Sequence, residues 1–264
     1  MIDILVHLDA APRAEEVARV AGRLAEGLGG RLNGFFNHVE SFGPAVVARR
    51  ASARYLDAAR QAEILFRGVS EQGAWTVPAS GEEGQMVSSS VFCSRFADLV
   101  VMGQWHEQAH VPEDLVEKVV MGAGRPVLVV PYAGHFPSIG QRVAVAWNGS
   151  REAARAIHDA LPLLHKATAV TLVSITDNER PRAKPGPRLD MASHLAAKGI
   201  AVDQDRMGPS EIGAMDQLLS HVCDLGADLL VMGAHGHLGP LARLRHSGTR
   251  HILRHLTVPV LMSH

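Results

Sequence analysis

Cys93-Ser-Arg-Phe-Ala-Asp-Leu-Val-Val-Met-Gly103 and Cys223-Asp-Leu-Gly-Ala-Asp-Leu-Leu-Val-Met-Gly233 are nearly the same sentence written twice in one chain. Each ends in an apolar run after an Asp, without the polar alternation of a half-exposed strand. Such a run fits a strand buried on both faces of a parallel sheet. Two more pairs keep the same order: Ile4-Leu-Val-His-Leu-Asp9 with Val143-Ala-Val-Ala-Trp-Asn148 upstream, and Arg125-Pro-Val-Leu-Val-Val130 with Val258-Pro-Val-Leu-Met-Ser263 downstream. Ordered matches with drifting spacing indicate an internal duplication. The predicted units are 1–133 and 141–264, joined by the turn-rich stretch Tyr132–Gln141.

Working outward, each copy alternates strands with amphipathic helices. Val17, Val20, Leu24 and Leu28 form one helical stripe ended by Gly29-Gly30, and Ala153, Ile157, Ala160, Leu161 and Leu164 form another behind Asn148-Gly149-Ser150. Second strands are expected at 32–37 and 169–176, and helices at Ala45–Arg67 and Leu189–Lys198, the latter stopped by Gly199. Third strands follow at 75–78 and 200–206. In the second copy Ser210 is the expected cap of a helix carrying Ile212, Met215, Leu219 and Val222. Strand–helix alternation at this spacing predicts an α/β fold with right-handed crossovers: two doubly wound, five-stranded parallel-sheet domains related by internal duplication. The two cysteines then occupy equivalent helix positions and are expected to be small buried residues. Asp98 and Asp228, each just ahead of an equivalent strand, are expected to cap turns and helix ends.

Hydrophobic residues make up 47% of the 264 and charged residues 20%, with a formal net charge of −1. This composition is globular, and it supplies no global field for nucleic acid or for an anionic membrane surface. Two cysteines make no disulfide scaffold and no metal motif. The N-terminus is too short and polar for a signal peptide, and no apolar run is long enough for a membrane span, so a cytoplasmic protein is expected.

Doubly wound sheets bind ligands beyond the carboxyl ends of their strands. There the second copy reads Val231-Met-Gly233-Ala-His-Gly236-His-Leu-Gly239-Pro, and Ser247-Gly248-Thr249 stands before an apolar helix with Ile252, Leu253 and Leu256. Glycines let backbone N–H groups approach an anion, and a helix start adds a favourable partial charge. On spacing alone the alternative is equally open, that Gly233 and Gly236 only turn the chain. Neither G-x-G-x-x-G nor G-x-x-x-x-G-K-[ST] is present.

With these residues in view the chain resembles the universal stress proteins, in their tandem two-domain form, whose domains have an adenine nucleotide α-hydrolase-like fold. The resemblance rests on Gly233-x-x-Gly236, nine intervening residues, His246-Ser247, a helix and Pro259-Val260-Leu261. It implies an adenine nucleotide, ATP or AMP with or without Mg, as a non-covalent ligand of the second copy. Phosphates would lie against Gly233, Gly236, His246, Ser247, Gly248 and Thr249. Asn148 would take the base and ribose side, and Ile175 and Met232, at strand ends, complete the site. Two departures stand out. His246 occupies the place of a glycine, where an imidazole either narrows the phosphate seat or donates to an anion. Asn148 occupies the place of an Asp. The first copy keeps Asp9 and Gly103 as remnants, but its loop reads Gly103-Gln-Trp-His106, and Glu113-Asp114 replaces the glycine–hydroxyl pair, two carboxylates that repel phosphate. Pro112 with these acids also makes a good helix start.

No motif of a serine hydrolase or zinc protease is present, and no catalytic residue is assigned; weak ATP hydrolysis is the one activity left open. His235, His237, His246, His251 and His255 cluster in sequence, but no metal site is assigned. Arg243, Arg245, Arg250 and Arg254 either rim the phosphates or form a solvated helix face. The remaining alternatives to a nucleotide-binding stress protein are an interaction module with a vestigial pocket and a slow ATPase. The resemblance further implies an intrachain pseudo-dimer through the last strands of the two copies, with a homodimer of whole chains also open.

Overall fold

The structure, a computed structural model, describes residues 1–40, 51–79, 82–175, 190–208, 213–234 and 248–264. The chain divides into two compact units, Met1–Pro137 and Ser138–His264.

The first unit runs β1 (Asp3–Leu8), α1 (Ala14–Leu28), β2 (Arg31–Phe36), α2 (Ala53–Arg67), β3 (Trp75–Thr76), α3 (Glu83–Ser94), β4 (Leu99–Gly103), α4 (Leu115–Gly122) and β5 (Val127–Val130). Its strands lie in the order β3-β2-β1-β4-β5, with parallel pairing throughout. The second unit runs β6 (Arg142–Ala146), α5 (Arg151–Leu164), β7 (Ala169–Ile175), α6 (Met191–Ala196), β8 (Asp203–Met207), α7 (Ala214–Asp224), β9 (Leu229–Gly233), α8 (Gly248–Arg254) and β10 (Val260–Ser263). Its order is β10-β9-β6-β7-β8, also parallel. Numbered from the start of each unit, the two orders are identical. The sheet is therefore doubly wound in both, as the apolar runs predict.

Burial follows the sequence pattern. Val100, Val101, Val127, Leu128, Leu229, Leu230 and Val260 are fully enclosed, because helices cover both faces of the central strands. The edge strand β8, Asp-Gln-Asp-Arg-Met, is charged and largely open, a composition that discourages pairing with strangers. Local signals place the helix ends. Gly29 closes α1 at φ +62°, and the Ser150 hydroxyl caps α5 by accepting the Ala153 N–H at 3.1 Å.

Some boundaries differ from expectation. Helix α2 starts at Ala53 behind a Ser52 cap rather than at Ala45, and residues 41–50 lie outside the described residues. Helix α7 starts at Ala214 behind Gly213, and the expected cap Ser210 lies outside the described residues with Ile212. Strand β3 has only two residues, and β8 is shifted towards Met207.

Two functional expectations about core positions are corrected. The cysteines are not buried: Cys93 is half-buried and Cys223 is exposed, its Sγ 3.4 Å from Thr257 Oγ1. Helix α7 buries Leu218, Leu219 and Val222, which turns Cys223 outward, whereas α3 buries Met86, Ser90 and Ser94. The helices end differently. Gly226, at φ +58°, lets the Ala227 N–H reach back to Val222 O, while Phe96 stands in its place after α3 and the Ala97 N–H reaches only Ser94 O. The different terminal turn accompanies a different buried face. Asp98 and Asp228 do not cap helices. Each instead takes the backbone N–H that opens the first strand of its unit, Asp3 and Arg142 respectively, both at 2.9 Å.

Candidate functional site

In each unit the first strand has one neighbour that follows it in the chain and another reached by a later crossover. The crevice where chain order switches therefore lies between β6 and β9 in the second unit, and between β1 and β4 in the first.

At the carboxyl edge of the second unit stand Asn148 just past β6, Ile175 at the end of β7, and Met232-Gly233 at the end of β9. Asn148 is exposed, its Oδ1 accepting the Ser150 N–H at 3.0 Å, and Gly149 takes φ +73° to complete the turn. Gly233 pairs with Ser263, and the next N–H, of Ala234, donates to Ser263 O at 2.8 Å. A Cβ built on Gly233 would fall 2.4 Å from Ala153 N and 2.5 Å from Glu152 C. The first turn of α5 thus lies directly against this glycine. Backbone contact with α5 explains the missing side chain by itself, so Gly233 alone is no mark of a phosphate seat. Met232 is buried, Gly248 opens α8 with its Cα side facing Met215 Sδ, and Thr249 is buried. Gly236, His246 and Ser247 lie outside the described residues, as do His235, His237, Arg243 and Arg245.

Beside Gly233, Glu152 is buried, with Oε1 accepting from Arg151 Nε and Oε2 unpartnered among the described residues. Burial alone would push its carboxyl up, but Arg151 and His264 hold it below the usual carboxylate range.

The first unit fills the same edge with its own chain. Asp9, half-buried, makes the same turn as Asn148, its Oδ1 accepting the Ala11 N–H at 3.0 Å, and burial raises its pKa above the usual range. Gly103 follows β4, but Gln104 then accepts the Tyr132 N–H at 2.9 Å and Trp105 Nε1 donates to Val111 O at 3.1 Å. The loop folds in over a cavity of about 30 Å³ lined by His7, Asp9, Asn37, Gly103, Trp105 and His106. That volume suits a water molecule rather than a nucleotide. Asp114 flanks α4 without capping it and instead pairs with Lys118 at 2.9 Å.

Residues 140–264 match the model of the Universal stress protein family. Residues 140–264 are thus a universal stress protein domain. A universal stress protein from Archaeoglobus fulgidus DSM 4304 has the same fold at a TM-score of 0.70 and 17% identity, over 99% of this chain and 97% of that one. A protein of unknown function from Pseudomonas aeruginosa PAO1 is similar at a TM-score of 0.54 and 15% identity, over 100% and 92% of the two chains. These likenesses are ones of fold, and they extend it to both units. No curated protein sequence matches the chain.

Within the universal stress protein fold, the first unit carries a polar ring that the sequence reading missed. Ser94 Oγ donates to the Ser90 carbonyl at 2.7 Å, which uses its only proton. His7 Nε2, 3.1 Å from Ser94 Oγ, must therefore carry the hydrogen of that contact. A neutral imidazole then accepts at Nδ1, from Asn37 Nδ2 at 2.8 Å, and Asn37 Oδ1 accepts from Ser90 Oγ at 2.8 Å. Every donor meets one acceptor. Burial holds the His7 pKa down at about 3, because a charged imidazolium would lose its hydration there. This arrangement excludes a Ser94–His7 nucleophile pair: both groups are enclosed, and the imidazole is the donor where a general base would have to accept. The signal available in sequence was Ser90 and Ser94 on the inward face of a helix expected to bury apolar residues.

In the second unit, His251 Nε2 is 2.7 Å from Asp216 Oδ1, and His255 Nδ1 is 2.8 Å from His251 O. These imidazoles thus serve their own helix surroundings. Among the described residues no group of three or more His, Cys, Asp or Glu side chains converges as metal ligands, and no helix is long and apolar enough to cross a membrane.

Proposed function

We propose that the second unit binds an adenine nucleotide, ATP or AMP, in the crevice between β6 and β9, and that the protein serves a stress-response or regulatory role through that occupancy. One observation carries this reading: the unit matched by the universal stress protein family has its switch point bordered by an exposed Asn148 and by the close approach of α5 to Gly233. The contact that forbids a side chain at Gly233 also brings the positive end of α5, a helix of 14 residues, to the edge where an anion would lie. Gly236, His246, Ser247, Gly248 and Thr249 are the residues that would hold the phosphates, with Mg as a companion ion.

The first unit, with its loop folded over a water-sized cavity, is read as taking no nucleotide. A second reading, of an interaction module with a vestigial pocket, is favoured by one feature: the Ala234 N–H, first in the glycine loop, is already given to Ser263 O.

Calorimetry of the full chain with ATP, ADP and AMP, with native mass spectrometry of the purified protein, separates the two. Binding that disappears in Gly236→Val is expected; absence of heat with all three nucleotides would leave only the interaction module. Phosphate release lost in the same variant would add hydrolysis to the first reading.

A further inference from the structure

The two units close their first strands with the same turn and differ in one atom. Asp9 and Asn148 each accept a backbone N–H two residues on, both at 3.0 Å, through Oδ1. Because a backbone N–H can only donate, the Asn148 atom facing Ser150 is the oxygen, and this fixes the orientation of its amide. The second atom is then an acceptor oxygen at Asp9 and an NH₂ group, with two donors, at Asn148. Among the described residues, the Asn148 NH₂ has no partner, and the residue is exposed at the mouth of the crevice.

The neighbourhood differs in charge as well. Arg151, three residues on, is 80% exposed in its side chain and engages Glu152 through Nε, where the first unit has Pro12. Its Nη groups are unpaired among the described residues. The edge of the second unit thus offers two amide hydrogens and a cation, with no exposed carboxylate at position 148.

A carboxylate beside a nucleotide's ribose accepts from free hydroxyls, whereas donors and cations accommodate a phosphate on the same oxygen. We infer that Asn148 is a specificity-determining residue that selects adenine nucleotides bearing a phosphate ester on the ribose 2′ or 3′ oxygen. Its Nδ2 donates to an oxygen of that ester, and Arg151 adds attraction. This rests on the reading of the β6–β9 crevice as a nucleotide site. An Asp at 148 would instead accept the hydroxyl protons of an unsubstituted ribose and repel the added phosphate.

The test is calorimetry on the full chain with AMP, adenosine 2′,5′-bisphosphate and adenosine 3′,5′-bisphosphate. The wild type is expected to bind at least one bisphosphate about tenfold or more tightly than AMP, as for a hydrogen bond to a charged group. Asn148→Asp is expected to abolish or reverse that ratio, weakening the bisphosphates more than AMP. Asn148→Ala, which removes the donors without adding charge, is expected to bring the ratio close to that of Arg151 acting alone, and thermal melts of both variants check that they fold. AMP binding as tightly as either bisphosphate, or a ratio unchanged in both variants, overturns the inference and leaves the nucleotide site standing. No heat from AMP or either bisphosphate, together with none from ATP or ADP, overturns the site and the inference together.

Discussion

Gly103 closes β4 and Gly233 closes β9, at one place in two copies of one topology, yet a methyl group would be received very differently at each. At Gly233 it would meet the backbone of α5 at 2.4 Å; at Gly103 the nearest atom is Val17 Cγ2, at 3.3 Å. The same divergence recurs one strand away, where His7 and its hydrogen-bonded ring in the first unit correspond to Ala146 in the second. The second unit leaves Asn148 exposed at its carboxyl edge and draws a helix start up to Gly233. The first spends that region on an internal polar ring and an infolded loop. Duplication preserved the strand order while the edges diverged in structure.

The largest expected effect comes from acid. His7 has an ordinary pKa of 6.5 and is held at about 3 when folded, so unfolding takes up a proton anywhere between the two. Stability of the first unit is therefore full above about pH 6.5 and falls as the pH drops towards 3, the His7 contribution reaching about 5 kcal/mol at about 1.4 kcal/mol per unit. Ala146 makes no such demand on the second unit. Denaturant titrations from pH 7 to 4, followed through Trp105 for the first unit and Trp147 for the second, should show the former losing stability faster; equal slopes would dissolve the contrast.

Next in size is the glycine pair. Gly233→Ala forces α5 from its strand and should cost about 3 kcal/mol, whereas Gly103→Ala asks a valine side chain to give slightly and should cost less than about 1 kcal/mol. Similar losses at the two positions would show that α5 does not press on Gly233 as described.

Ser94→Ala leaves the His7 Nε2–H enclosed without an acceptor and should cost about 2 kcal/mol, while Ser220→Ala, exposed on α7 at the position matching Ser90, should be nearly silent. A histidine nitrogen NMR spectrum that reported the Nδ1–H tautomer of His7 would refute the ring as drawn. The smallest effect is at the helix ends: Gly226→Ala, at φ +58°, should cost about 1 kcal/mol in thermal melts, against almost nothing for Phe96→Ala.

The fold was legible because its signals are local and repeated. Paired apolar runs marked β4 and β9, Gly29 and Gly199 marked helix stops, and Ser150 marked a helix start, and each of these acts within its own short stretch of chain. The site was legible only in part. The spacing of Gly233 could not reveal that α5 would lie against it, since that contact joins residues 80 positions apart in sequence. Nor could the apparent equivalence of Cys93 and Cys223 survive a change of buried face between α3 and α7. The ring of His7, Asn37, Ser90 and Ser94 draws on three separated segments, and only the serines left a trace in the pattern.

The carboxylate of Asp228 gathers the N–H groups of Gly140, Gln141 and Arg142 and the hydroxyl of Ser138 into one clasp. Everything from Ser138 onward is thereby stitched to the amino end of the sheet it introduces, while the peptide bond before it is not. A tether spliced between Pro137 and Ser138 would lengthen the connection and spare the clasp. The same insertion two residues later would part the Ser138 hydroxyl from the three N–H groups that share its carboxylate, which makes the Pro137–Ser138 seam the natural place to part the copies or to thread a reporter between them.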